Sequence, residues 1–193
     1  FYMMPVVDAE YHMLGVIEID DVMDVMEEET TEDINLMAGM SGEERVDSTV
    51  LESAKSRIPW LIVNLFTAVM AAAVVANFES TIAKVVSLSS VMSIVTGMGG
   101  NAGTQSLTIL CRGLSLGEVD KDNAFQIFCK EVVVGLLSGI VIGIIVAIGA
   151  WWFASNPWFG LVAGLAMILN MLAANVAGYL VPVILKRLNI DPA

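Results

Sequence analysis

The segment TGMGGNAGTQS, residues 96–106, interrupts a stretch that is otherwise fit for lipid: VVSLSSVMSIV precedes it and LTIL follows. Four glycines, Gly97, Gly99, Gly100 and Gly103, interleave there with Asn101, Thr104, Gln105 and Ser106, and Thr108 follows two residues on. Glycine loosens a helix, and amides and hydroxyls surrounded by hydrocarbon need partners. Unwound backbone and polar side chains are tolerated at membrane depth only where protein buries them or a watery path solvates them. Close helix packing explains the glycines, but it does not require so many hydrogen-bonding residues. Packing alone and the lining of a pathway are therefore both open, and the polarity favours the pathway. A phosphate-binding loop is excluded, because no lysine follows the glycines at the Walker spacing.

Around this segment the chain reads as a helical membrane protein. Hydrophobic residues make up 56% of it, and after Arg57 they gather in runs of about 20, the length that crosses a hydrocarbon core as helix. Four spans are expected, over residues 58–78, 82–110, 132–153 and 158–185. With a cytoplasmic N-terminus, Arg45, Lys55, Arg57, Arg112, Lys121, Lys130, Lys186 and Arg187 fall inside and only Lys84 falls outside, a positive-inside pattern. Trp60 then lies at the inner boundary and Trp151, Trp152 and Trp158 at the outer one, where indole rings anchor. Cys111 and Cys129 match no metal spacing. Gly135, Gly139 and Gly143 repeat every fourth residue, as do Gly160 and Gly164, and these read as packing faces. Asn64, Asn170 and Asn175 are expected to face the bundle interior and bond between helices, and Pro182 to kink the last span near its inner end. The opening FYMMPVVD and the closing RLNIDPA read as the ends of a fragment of a longer chain.

The acidity lies before the membrane: fifteen of the twenty-one Asp and Glu occur in residues 1–57. MMPVV and MLGVIEI read as strands joined by the turn DAEYH, followed by a helix opened by Asp20. Along that helix Asp21, Asp24, Glu28 and Glu32 recur at spacings of three and four, so like charges stack on one stripe, each pair costing about 0.2–0.5 kcal/mol. A solvated face is one reading. A divalent-cation site is the other, since clustered carboxylates are the oxygen donors that Mg2+ or Ca2+ prefers, although the spacing is not an EF-hand. His12, in the turn, reads as a surface residue. Thr49 and Glu52 have capping-box spacing, so a short helix is expected from about Ser48 towards Pro59, with Pro59 in the first turn of the next helix. That helix is either a passive linker or a lever.

GMGGNAGTQSLTILCRGL, with FES upstream, FCKEVVVGLLSG and AANVAGYLVPVILKRLNIDPA downstream, and IDDVMDVMEEETTEDI before the membrane, closely resembles the MgtE family of bacterial magnesium channels over essentially the whole chain. The resemblance implies a homodimeric, multi-pass Mg2+ channel of the bacterial inner membrane, in contact with lipid, with a fifth span beyond these four that carries a selectivity aspartate. Residues 1–40 would be the C-terminal part of a cystathionine-beta-synthase (CBS) domain with α+β character, 41–57 a connecting plug helix, and 58–193 the transmembrane domain. Gly97 would offer a backbone carbonyl to the ion, and Asn101, Thr104 and Thr108 would line the same region. Asp21, Asp24, Glu29, Glu32 and Asp33 would hold regulatory Mg2+, which is both substrate and ligand. Glu18 stands in GVIEIDD where a nucleotide-binding CBS motif has a hydroxyl residue, so nucleotide binding is not expected from this stretch. No nucleic-acid partner and no enzymatic activity are expected.

Three other readings compete. An ion-coupled secondary transporter calls for an ionisable residue deep in a span, and Glu79, Lys84, Lys130 and Glu131 all fall near expected span ends. An intramembrane enzyme calls for a nucleophile and base or a metal cluster within the spans, and none stands out. A membrane-anchored divalent-cation sensor leaves the polar glycine segment without a purpose.

Overall fold

A computed structural model describes residues 2–40, 42, 44–120 and 122–188; Lys121 and the chain beyond Leu188, both of which enter the expectations from sequence, lie outside the described residues. The chain forms two compact units, the first reaching Ala71 and the second starting at Ala72.

The first unit opens with an antiparallel hairpin, β1 (Met3–Val7) and β2 (Met13–Glu18), in which Met3 pairs with Glu18 and Met4 with Ile17. Asp8 builds the turn by accepting from the backbone N–H groups of Glu10 (3.0 Å) and His12 (2.7 Å). His12 is exposed, as expected. Helix α1 spans Ile19–Met37. It starts one residue before Asp20, which is therefore not the cap. Glu18 takes that place, its backbone N–H donating to the Asp21 carboxylate at 2.9 Å, because Asp21 stands three residues on, where a first-turn acid can reach back. The helix stops at Gly39, whose φ of +76° ends the right-handed path. A Cβ at Gly39 would collide with the indole of Trp60.

Helix α2 runs unbroken over Val50–Ala76. The Thr49–Glu52 box forms as expected, with the Glu52 carboxylate accepting from the Thr49 N–H (2.9 Å) and hydroxyl (2.7 Å). The expected break at Pro59 is absent: that residue lies inside α2, so connecting helix and first span are one element. Proline removes a single N–H from a helix already nucleated by its cap, and the long apolar run beyond it carries the helix on. No residue of α2, Asn64 included, is buried within its own unit.

The second unit holds the short α3 (Glu79–Lys84) and three long helices, α4 (Ser87–Ser115), α5 (Ala124–Ala154) and α6 (Pro157–Arg187). The second expected span, 82–110, is thus divided at Val85 and Val86, two β-branched residues of which the first takes an extended φ of −131°. Helix α6 packs against both α4 and α5. The glycine repeats work as expected: a Cβ on Gly143 would lie 2.9 Å from the Gly164 carbonyl oxygen, and one on Gly139 3.1 Å from the Ile168 Cα. Asn156 caps α6 by accepting from Trp158 N–H at 2.9 Å, with Pro157 in the first turn. Pro182 is buried within a helix that continues to Arg187. By length and composition α2, α5 and α6 are each able to cross a membrane; α4 has the length but carries the polar segment.

Candidate ion pathway and acidic segment

Residues 96–106 are regular helix within α4, so the glycines do not loosen it. Glycine lowers helix propensity by about 1 kcal/mol, and packing against a neighbouring helix outweighs that. Two of the glycines pack: Gly99 lies under the Asn170 side chain, and a Cβ on Gly103 would meet the Ala174 carbonyl oxygen at 3.5 Å. The other two, Gly97 and Gly100, have nothing within 4 Å of an added Cβ.

This split sorts the whole helix. Val91, Gly99, Ala102, Ser106 and Leu110 are buried on the side towards α6, whereas Ser93, Thr96, Gly97, Gly100, Asn101, Thr104, Gln105 and Thr108 are exposed. Gly97, Asn101, Thr104 and Thr108, spaced by four, three and four, fall within a sector of about 60° at about 100° per residue. The four residues expected at the pathway are thus brought together on one stripe that is exposed among the described residues of the second unit. The Thr104 hydroxyl donates to the Gly100 carbonyl at 3.0 Å, which leaves its oxygen lone pairs outward as acceptors. A groove of about 500 Å3 meets one end of the stripe, lined by Ile82, Ser89, Ser93, Thr96 and Gly97 among others.

Behind the stripe, hydrogen bonds join the helices. Asn170 on α6 donates to the Val95 carbonyl on α4 at 2.6 Å, the interhelical bond expected of it. Asn175 is buried as expected, but its amide bonds within its own helix, to the Met171 carbonyl at 2.9 Å. Lys186 donates to the Leu114 carbonyl at 3.0 Å, placing a cation at the C-terminal end of α4. The Tyr179 hydroxyl donates to the Ala124 carbonyl at 2.7 Å. Glu131, expected near a span end, is buried between helices. Helix α5 begins at Ala124, eight residues before the expected span, so Glu131 stands two turns into the helix; it is buried and accepts from Ser106 at 2.7 Å. Its apolar successors VVVGLL gave the one available signal: an acid that opens such a run is already inside a helix if that helix starts upstream.

In the first unit, Asp21, Asp24 and Glu32 share the expected stripe with Glu28, while Glu29 and Asp33 lie roughly 60–100° around the helix from it. Asp21, Asp24, Glu29 and Glu32 are exposed and Asp33 is half-buried. A cavity of about 510 Å3 is lined by Asp24, Glu27, Glu28, Glu32, Glu44 and Arg45, among others. The donors are hard oxygens of the kind Mg2+ takes. No group of three or more acidic, histidine or cysteine side chains suited to a metal ion occurs among the described residues, so α1 alone does not supply a closed site. The loop after α1 ties it to α2. Buried Asn35 donates to the carbonyls of Gly42 (3.1 Å) and Glu44 (3.0 Å), and Glu44 in turn accepts from Arg57 Nε (2.8 Å) and Nη2. The guanidinium holds the Glu44 carboxyl below its ordinary pKa, with smaller help from Ser56.

The sequence model of the MgtE family, described as a divalent cation transporter, matches residues 92–193. Proteins named "Magnesium transporter MgtE" from Enterococcus faecalis, Thermus thermophilus and Bacillus subtilis are 37%, 33% and 32% identical to the chain. Each match covers all of this chain and 42%, 43% and 43% of the relative, so the chain spans less than half the length of these relatives. With the family match covering the helices that carry the polar stripe, the chain belongs to the MgtE family of divalent cation transporters.

Proposed function

We propose that the chain is the pathway-lining and regulatory portion of a homodimeric magnesium channel of the bacterial inner membrane, its N-terminal unit cytoplasmic. The observation that carries this reading is the exposed stripe of Gly97, Asn101, Thr104 and Thr108 on α4, whose opposite face is packed. In lipid such a stripe needs water or a partner. Two stripes facing each other across a dimer axis give carbonyl, amide and hydroxyl oxygens around a shared aqueous path. Mg2+ gives up its water reluctantly, so oxygens that hold the hydrated ion avoid most of the dehydration cost. The cargo follows the names of the relatives, and the orientation follows the positive-inside pattern.

Regulation follows from charge. The Asp24, Glu28 and Glu32 stripe repels any second acidic surface when Mg2+ is scarce; bound ions bridge the two surfaces when it is plentiful, and Asn35, Glu44 and Arg57 pass the movement of α1 to α2. The test of the pathway is Asn101→Leu in the full-length protein. Mg2+-dependent growth and uptake should fall to background while expression and dimer formation stay normal; uptake at the wild-type level would remove α4 from the pathway.

One observation favours a second reading, an ion-coupled transporter: Glu131 supplies the buried ionisable residue that such a mechanism calls for. Mg2+ flux into vesicles that is indifferent to an imposed proton or sodium gradient would exclude coupling.

A further inference from the structure

A carboxyl group sits where three helices of the second unit meet, away from the stripe. Glu131 on α5 is 6% exposed, and Ser106 on α4, 3% exposed, donates to its Oε2 at 2.7 Å while lying 3.3 Å from the Asn175 carbonyl oxygen of α6. No ion pair to Glu131 occurs among the described residues. On the helix, Ser106 lies about 180° from the centre of the Gly97, Asn101, Thr104 and Thr108 stripe. The carboxyl therefore grips α4 at the point diametrically opposite the residues read as pathway lining.

That position matters because the middle of the contact is smooth, its larger side chains, Val91, Leu110 and Leu114, lying towards the two ends of α4. Where α4 meets α6 it presents Gly99, Ala102 and Gly103, and a Cβ on Gly178 of α6 would lie 2.7 Å from the Gly103 carbonyl oxygen. Small residues let two helices approach, but they offer few knobs to oppose rotation about the helix axis. A hydrogen bond to a carboxyl oxygen is directional and fails when α4 turns by one residue step, about 100°.

We propose that Glu131 is a positioning residue for the ion pathway: through Ser106, and together with the Asn170 bond to the Val95 carbonyl, it holds the rotation of α4 that turns Gly97, Asn101, Thr104 and Thr108 to one side. This rests on the pathway reading above and adds the residue that orients the stripe.

The experiment measures rotation directly. In full-length protein in lipid vesicles, with the exposed Cys129 replaced by serine, cysteine is placed at Thr108 or at neighbouring Ile109, and reaction with a water-soluble methanethiosulfonate is timed. The two positions share a depth but lie about 100° apart. Thr108→Cys is expected to react faster than Ile109→Cys. Adding Glu131→Leu or Ser106→Ala should shrink that ratio about tenfold, the occupancy change expected from one lost hydrogen bond of this kind. Glu131→Gln still accepts from Ser106 and should restore the ratio. Ser106→Ala removes a single oxygen atom, so it tests the contact even where Glu131→Leu fails to fold. An unchanged ratio in Ser106→Ala overturns the proposal, as does a Glu131→Gln protein that behaves like Glu131→Leu. Equal labelling of Thr108→Cys and Ile109→Cys before either change defeats the pathway reading itself, and the proposal with it.

Discussion

At the scale of single residues, the glycines of α4 and α6 separate packing from pathway. Gly178 faces backbone: its added Cβ would meet the Gly103 carbonyl oxygen at 2.7 Å and the Ser106 Cβ at 2.8 Å, so the helices must part. Gly178→Ala is expected to destabilise the second unit by about 1–3 kcal/mol, the usual range for overpacking. Gly100 has open space on its outward side. Gly100→Ala should leave stability unchanged or raise it by up to about 1 kcal/mol, since alanine is the better helix former. Thermal unfolding in detergent compares the two, and equal loss in both would show that Gly100 packs against something after all. Any transport defect in a stable Gly100→Ala protein then belongs to the pathway.

At the scale of elements, the loop between α1 and α2 is held by a carboxylate whose side chain is 6% exposed against an arginine. Because Glu44 in the fold titrates below the ordinary carboxylate value of 4.5, its contribution is complete above that pH and is lost as the pH falls through the lowered value. Hydrogen exchange at the amides of residues 44–48 should therefore be equally protected at neutral and mildly acidic pH, once corrected for intrinsic rates, and should lose protection only below about pH 4.5. Protection lost already near pH 6 would point to a different titrating group. Glu44→Gln should lose that acid dependence while keeping the bonds from Asn35, which go to backbone carbonyls.

At the scale of the whole molecule, the proposed regulation by Mg2+ assigns different parts to the carboxylates of α1. Asp21 is engaged at the start of α1, accepting from the Glu18 N–H. Asp24, Glu28 and Glu32 line the acidic cavity, whereas Glu29 and Asp33 point around the helix. If the proposed regulation holds, changing Asp24, Glu28 and Glu32 together to amides in the full-length protein leaves conduction on at cytosolic Mg2+ levels that shut it off in the wild type. Changing Glu29 and Asp33 tests the neighbouring face alone. Patch-clamp recording of open probability against cytosolic Mg2+ checks both, and wild-type curves from each would return α1 to an ordinary solvated helix.

Much of this protein was legible in its sequence because its signals are local. The β1 and β2 strands, the Thr49–Glu52 box, the glycine repeats and the spacing of Gly97, Asn101, Thr104 and Thr108 each depend on neighbours within a few residues. What the sequence did not reveal depended on neighbours in space. Propensity argued for loosened backbone at Gly97–Gly103, and packing on α6 kept it helical. A proline suggested a boundary at residue 59, and the run that follows overrode it. Asn170 and Asn175 look alike in sequence, yet the Asn170 amide bonds across to α4 and the Asn175 amide within its own helix. Glu131 sits at the edge of its apolar run yet is buried, and only the packing of α4, α5 and α6 shows what surrounds it. Periodicity decides which residues share a face; what that face meets is decided only when the helices assemble.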